Sequence, residues 1–249
     1  MIEIHPVEGI GEIRAGDDLG AILAAALAGR APVSGDILVV TQKIFSKAEG
    51  RMVDLATVTP GEPAIELAHK TKKDARLVEL VLSESAAVVR AKAGVLITRH
   101  KLGFVMANSG IDCSNIGKGG GDYALLLPSD PDGSAARLQA SLFKRLGIRM
   151  GIVMSDSFGR PWRNGVVNVA IGAAGLPAIH DKRGMPDRDG RILQVTQIAY
   201  GDLFASAAGL LMGEADEGVP AVLVRGCPLP DQEVAAAKLI RPLEEDLFQ

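Results

Sequence analysis

The sequence predicts an α/β chain of α+β character, with mixed β-sheets flanked by helices. Short β-branched runs alternate with segments of helical period. Their order is too irregular for a barrel of eight βα units. No GxxxxGK[ST] loop is present, so the fold is not of the P-loop kind.

The elements follow in order. Residues 2–7 read as a short strand. Gly16-Asp17-Asp18 caps a helix over 19–28, with Gly29 just past its end. Asp36-Ile37-Leu38-Val39-Val40 is a continuous apolar run and reads as a strand buried on both faces. Pro60-Gly61-Glu62-Pro63 opens a helix to about residue 70. A second helix covers 74–85, where Leu77, Leu80 and Val81 fall at helical spacing. Short strands follow at 87–90, 94–98 and 104–107. Residues 109–133 form the longest irregular stretch, rich in Gly, Asp and Ser; loops of that length are typically functional or disordered. A helix at 134–146, a strand at 150–155 and a turn at Phe158-Gly159-Arg160-Pro161 come next. Residues 165–176 are small and apolar, with strand and tight-turn character. A polar excursion at 179–191 leads to a strand at 192–200, a helix at 202–212 and a strand at 219–224. The tail from Asp231 reads as helix to about Ile240.

Composition bounds the function. The 249 residues are enough for one large domain or two small ones. Apolar residues are 47%, so disorder is excluded as the main state, while aromatics are only 4%, so the core must be aliphatic. A net charge of −3 and few aromatics argue against nucleic acid as a partner. Cys113 and Cys227 form no CxxC, and the four histidines form no HxH or HExxH, so structural or hydrolytic zinc has no support. No GxSxG elbow occurs. Cys113 reads as a small buried thiol, because the carboxylate beside it would raise its pKa. There is no secretory signal and no apolar run of membrane length, so the expected compartment is the cytoplasm.

Four segments could carry chemistry. Gly110-Ile111-Asp112-Cys113-Ser114-Asn115 follows an apolar strand; by itself it reads first as an Asx turn and second as a place for a ligand carboxylate. In Ser155-Asp156-Ser157-Phe158-Gly159-Arg160-Pro161-Trp162-Arg163, a buried strand delivers Asp156 and Ser157 to its end. A carboxylate and a hydroxyl there suit Mg²⁺ or Mn²⁺. Arg160 and Arg163 can clamp a carboxylate or phosphate, or pair with the Asp structurally; Trp162 divides evenly between core and site. Thr41-Gln42-Lys43-Ile44-Phe45-Ser46-Lys47 places two lysines after a buried strand. Taken alone it is a charged surface turn; in company it could hold phosphates. Finally, Leu210 to Gly218 runs from an apolar helix end into an acidic turn. Gly213 can serve as an ordinary helix C-cap there, and the acids hint at a cation.

Together the segments resemble the coenzyme F420-0:L-glutamate ligases, also called γ-glutamyl ligases of coenzyme F420. The carriers of the resemblance include Pro6-Val7-Glu8-Gly9, Ser46-Lys47-Ala48-Glu49-Gly50-Arg51, Asn108-Ser109-Gly110-Ile111-Asp112, Ser155-Asp156-Ser157-Phe158-Gly159-Arg160, Ala170-Ile171-Gly172 and Leu210-Met212-Gly213-Glu214. The resemblance spans nearly the whole chain. It implies a GTP-dependent ligase that joins the amino group of L-glutamate to the lactyl carboxylate of F420-0, releases GDP and phosphate, and can extend the product through γ-linkages. It implies Mg²⁺ or Mn²⁺ with a monovalent cation such as K⁺, a homodimer, and a fold that is neither P-loop nor Rossmann. Metal ligands map to Asp112, Asp156 and Ser157, with Glu214 as a further acid. Guanine-nucleotide contacts map to Ile10, Gly11, Glu12, Ile13, Gln42, Lys43, Lys47, Asn115 and the stretch Leu210, Leu211, Met212, Gly213, Glu214, Ala215, Asp216 and Glu217. The chain departs from the family at Leu203, where relatives carry Glu. Some relatives carry a C-terminal flavin-reductase-like domain, which this chain is expected to lack.

In this reading Lys47 offsets charge that develops during phosphoryl transfer, and Arg160 or Arg163 clamps an anionic substrate. No residue stands out as a general base for the glutamate amine. Site candidates from Ile10 to Glu217 make 1–249 one expected catalytic unit. Two other readings stay open at this point: a ligase of the same architecture for another acid and amino acid, or a non-catalytic protein that binds a nucleotide or deazaflavin.

Overall fold

A computed structural model describes residues 1–117 and 122–246. In chain order the elements are β1 (Glu3–Pro6), α1 (Leu19–Leu27), β2 (Ile37–Thr41), α2 (Gln42–Ala48), β3 (Met52–Asp54), α3 (Glu62–Thr71) and α4 (Ala75–Ser83). They continue with β4 (Ser85–Lys92), β5 (Val95–His100), β6 (Val105–Ala107), β7 (Tyr123–Leu125), α5 (Pro131–Leu146), β8 (Gly151–Arg160) and β9 (Arg163–Ala174). Last come β10 (His180–Asp181), β11 (Gln197–Ile198), α6 (Tyr200–Met212) and β12 (Ala221–Arg225). Mixed sheets with flanking helices are the predicted fold class.

The main sheet has five strands in the order β1-β12-β2-β8-β9. Within it β2 and β8 run parallel, and the other neighbours are antiparallel. Alternation along β2 explains its unbroken apolar run. Leu38 and Val40 face a core shared with α1 and α5, while Ile37 and Val39 face a second core built on α6. A strand covered on both faces needs no polar position. A third core lies apart, where Ala64 and Ala68 of α3 and Val78 and Val81 of α4 meet Leu96, Ile111 and Ala124.

Several elements differ from expectation for identifiable reasons. Residues 42–48 are a helix rather than a surface turn; Ile44 and Phe45 enter the first core, and Gln42, Ser46 and Lys47 are buried with them. β8 runs through the expected turn at 158–161. Phe158 stays in the strand, set edge-on against Phe104 with ring centroids 6.1 Å apart, and the chain reverses only at Pro161 and Trp162. Helix α5 begins three residues early because the Asp130 carboxylate accepts the Gly133 N–H and Pro131 suits the first turn. The irregular 109–133 stretch also holds β7, and its glycine run at 118–121 lies outside the described residues.

Gly29 does not stop α1. A 3₁₀ turn (Ala28–Arg30) follows, and Ala31 takes the left-handed position. The expected strand at 192–200 shrinks to β11, with Ile192 and Val195 exposed. The tail carries only 3₁₀ turns among its described residues, one of them Ala236–Leu239. The Asp132 carboxylate holds that turn by accepting the Ala236 and Ala237 N–H groups. No helix among the described residues is long and apolar enough to cross a membrane.

Candidate active site

The parallel pair ends where Thr41 of β2 lies beside Ser155 of β8. Beyond that point β2 stops, while β8 continues with β9 as its only named neighbour. The step opens a cavity of about 670 Å³ at the carboxyl ends of the two parallel strands. Crevices in that position are a usual place for ligands in sheets with parallel strands.

Six segments line the cavity, one of them β9 through Asn168. The 10–13 loop supplies Ile10, Gly11, Glu12 and Ile13. The start of α2 supplies Gln42 and Lys43, and Lys47 follows one turn on. Asn115 comes from the loop after Asp112. Asp156 and Ser157 come from β8. Met212, Gly213, Glu214, Ala215, Asp216 and Glu217 come from the end of α6 and the loop beyond. Most nucleotide positions implied by the resemblance therefore share one space.

Two do not. Leu210 is turned outward on α6, and Leu211 packs against the second core. Arg160 and Arg163 pair with each other across the β8–β9 reversal, outside the cavity lining. Arg160 donates from Nη2 to the Asn164 carbonyl at 3.3 Å, and its Nε is buried without a partner. Trp162, at the tip of this hairpin, is 87% exposed and is not core. Cys113 is exposed as well, against the expectation of a buried thiol; its pKa is raised by partial burial and by Asp112.

The two lysines of the cavity are paired. Lys47 is 9% exposed, and its Nζ donates to Glu12 Oε1 at 2.6 Å. Lys43 Nζ lies 2.7 Å from Asp112 Oδ2 and also donates to the Ser114 carbonyl at 3.3 Å. The other carboxylate oxygen of Asp112 accepts from the Ser114 N–H and O–H, both at 2.8 Å. Burial alone would raise the Asp112 pKa; Lys43 and the Ser114 donors outweigh it and hold the group below the usual carboxylate value.

Asp156 shows the opposite balance. Desolvation in the cavity wall pushes its pKa up to about 7. The Ser157 N–H opposes the shift, the charge of Asp112 adds to it, Lys43 opposes it, and Glu214 adds to it. Glu214 in the lining and Asp112 just outside it thus both act on Asp156, with Ser157 offering a hydroxyl beside it. This donor set of hard oxygens fits Mg²⁺ or Mn²⁺, and a bound cation would relieve the crowding of negative charge. Among the described residues, no three acidic, His or Cys side chains close a cage by themselves. An ion held here would complete its shell with water and substrate oxygens.

The loop after α6 folds on itself. Glu217 Oε2 accepts the Ala215 N–H at 2.8 Å, and backbone N–H groups of the loop hold its pKa low. Asn115 Nδ2 donates to the Ala215 carbonyl at 2.8 Å and so ties two cavity loops together. On the floor, Ser155 Oγ donates to the thioether of Met212 at 3.7 Å.

Reasoning from sequence missed Asn168, Val219 and Pro220 in the lining, and had Ser155 only as part of the run that carries Asp156. Asn168 stands opposite Ser157 in the β8–β9 register, a relation visible only once the hairpin is known. Conversely, Glu49 and Arg51 in the family-like run act structurally. Glu49 accepts from the Ser134 hydroxyl, and Arg51 binds Glu84 at 2.7 Å and the Leu127 carbonyl at 2.9 Å.

Comparison with known proteins places the chain in a family. The profile of the F420-0:Gamma-glutamyl ligase family matches residues 9–226. The chain is 41% identical to a coenzyme F420:L-glutamate ligase of Methanothermobacter thermautotrophicus, over all of this chain and 99% of that protein. It is 42% identical to the enzyme of that name from Methanopyrus kandleri, over all of this chain and 98% of the relative. For the Methanocaldococcus jannaschii enzyme the identity is 44%, over 86% of this chain and 85% of the relative. Matched by that profile over most of its length, and similar along its whole length to ligases of that name, the chain belongs to the F420-0:gamma-glutamyl ligase family.

Proposed function

We propose that this protein is a GTP-dependent ligase that forms an amide between L-glutamate and F420-0, with GDP and phosphate as the other products. One observation carries the reading: Asp112 and Glu214 both act on the charge of Asp156, at a cavity also lined by Lys43 and Lys47. Acids for a cation and lysines for phosphates are what a nucleotide-driven ligase requires.

A carboxylate does not acylate an amine unaided, because its leaving group would be oxide. In the proposed route the F420-0 carboxylate oxygen attacks the γ-phosphorus of GTP, and the bond to the β,γ-bridging oxygen breaks to release GDP. The glutamate amine then attacks the acyl carbon, the C–O bond to phosphate breaks, and the amine loses a proton to solvent. Phosphoryl transfer depends mainly on positioning and charge neutralisation. A divalent cation, when bound, would neutralise phosphate oxygens. Asp112, Asp156, Ser157 and Glu214 would hold it, and K⁺ would assist as a monovalent partner. Lys47 would leave Glu12 for the phosphates, and Lys43 would divide its charge between Asp112 and the nucleotide. Arg160 and Arg163, beyond the cavity, would serve the anionic acceptor rather than the nucleotide. The family resemblance also supports a cytoplasmic homodimer, which sedimentation would check.

The experiment is an incubation of purified protein with F420-0, L-glutamate, GTP and Mn²⁺, read by mass spectrometry. The expected result is a glutamylated product with equimolar GDP, lost in Asp156→Asn although circular dichroism is unchanged. GTP left unconsumed, or product formed equally well without it, refutes the proposal.

A further inference from the structure

Just before Asp112, three consecutive residues take left-handed backbone. Asn108, Ser109 and Gly110 have φ of 50°, 51° and 68°. A glycine does this freely and an asparagine tolerates it, but a serine there is sterically strained. Strain of that kind persists only where the surroundings over-determine it, and it gathers at functional sites.

The surroundings here are a buried chain of hydroxyls. Ser109 is wholly buried, and its Oγ lies 2.7 Å from both Thr98 Oγ1 and Ser85 Oγ. The Ser109 N–H donates to Thr98 Oγ1 at 3.0 Å. Ser85 Oγ donates to the Val81 carbonyl at 2.5 Å. The proton directions follow by elimination. The Val81 carbonyl can only accept, so the Ser85 proton is committed to it. Ser85 must then accept the Ser109 proton, and Ser109 must accept that of Thr98. One directed chain therefore ties β5, the strained turn and the end of α4, with every hydroxyl satisfied.

Packing seats the same turn. A Cβ at Gly110 would meet Met106 Cε at 2.8 Å and Leu127 Cγ at 2.9 Å. Past the turn, Ile111 enters the third core, and Asp112 exchanges backbone hydrogen bonds with Leu125 at 3.0 and 2.8 Å. The Asp112 carboxylate is thereby delivered to Lys43 and into the field of Asp156.

We propose that Ser109 is a positioning residue: through the Thr98–Ser109–Ser85 hydroxyl chain it holds the strained 108–110 turn that presents Asp112 to the divalent cation. The inference rests on the reading of Asp112 as a metal ligand. Partners that orient a ligand from behind commonly set metal affinity by about ten-fold or more.

The test titrates Mn²⁺ into the full chain with GDP present, followed by the loss of free Mn²⁺ signal in electron paramagnetic resonance. Thr98→Val keeps the side-chain shape but removes the hydroxyl; Thr98→Ser keeps the hydroxyl. The expected result is a roughly ten-fold weaker Mn²⁺ affinity in Thr98→Val and Ser109→Ala, with Thr98→Ser within about two-fold of the parent. In turnover, the Mn²⁺ concentration for half-maximal rate rises while kcat at saturating Mn²⁺ stays. Should the buried variants fail to fold, Ser85→Ala at the outer end of the chain gives the same readout. Variants that melt earlier yet bind Mn²⁺ like the parent overturn the positioning role. A parent protein that binds no Mn²⁺, or Asp112→Asn that binds it undiminished, overturns the metal reading itself and this inference with it.

Discussion

Lys47 Nζ rests 2.6 Å from Glu12 Oε1, although 35 residues separate the two in the chain. The lysine is buried and the glutamate is largely exposed. The pair therefore joins a solvent-exposed acid to a cation buried in the wall of the cavity. An incoming phosphate carries more charge than Glu12 and can replace it at Lys47 without moving the lysine. Lys47→Met keeps the packed stem and removes the charge. The expected outcome is a loss of roughly 10²–10³ in kcat with little change in melting temperature. Steady-state kinetics with GTP varied, alongside a thermal melt, checks both halves.

Gly213 is needed twice over. It has φ 67° and ψ −171°, a region essentially closed to other residues. A Cβ there would sit 1.9 Å from the Glu217 carboxyl carbon. Gly213→Ala should destabilise the protein by roughly 1–3 kcal/mol and unseat the loop that carries Glu214. The signature is a raised KM for GTP together with a lower denaturant midpoint. An unchanged KM would separate this loop from nucleotide binding.

Away from the site, Asp36 is 1% exposed and accepts from Arg225 Nε at 3.1 Å and Nη2 at 2.8 Å. Arg225 also donates to the Ala31 carbonyl at 3.0 Å. Removing the guanidinium leaves a buried carboxylate with only the Val33 N–H. Arg225→Ala should cost about 3–5 kcal/mol, measured by urea unfolding, because the loss leaves an uncompensated charge.

Asp202, outside the cavity lining, gives a pH signature in stability. Burial raises its pKa, opposed by the Ala170 N–H, which it accepts at 2.9 Å. The folded state therefore holds this proton more tightly than the unfolded chain does. Stability from the group is full below the unfolded pKa and falls as pH rises through the folded one. Asp202→Asn keeps an acceptor and abolishes the titration. Its melting temperature should match the parent in acid, exceed it as pH rises from the unfolded through the folded pKa, and hold a constant lead above that; about 2–4 °C corresponds to 1 kcal/mol in a chain of this size. Parallel curves for the two proteins would refute the assignment.

What was legible in the sequence follows a physical pattern. β2 and the first half of β8 announce themselves, because a strand covered on both faces is apolar at every position. The positions of Asp112 and Asp156 are legible because each follows an apolar run within a recognisable run of residues. Helix α2 was hidden, since four of its seven residues are polar and its burial comes from partners elsewhere in the chain. The far half of β8 was hidden for a similar reason: Phe158 keeps to the strand through its contact with Phe104, 54 residues earlier.

By itself, then, the sequence determined the fold class, the family and the acids at the strand ends, all of which rest on local pattern. Only the tertiary structure decided which of those residues share a cavity. It brought Asn168 to Ser157 by strand register and Glu12 to Lys47 by burial. It turned Leu210 outward and carried Arg160 and Arg163 to the hairpin tip. The reason is that side-chain periodicity encodes a residue's face on its own element, whereas convergence of distant segments depends on how the sheet stacks against its helices.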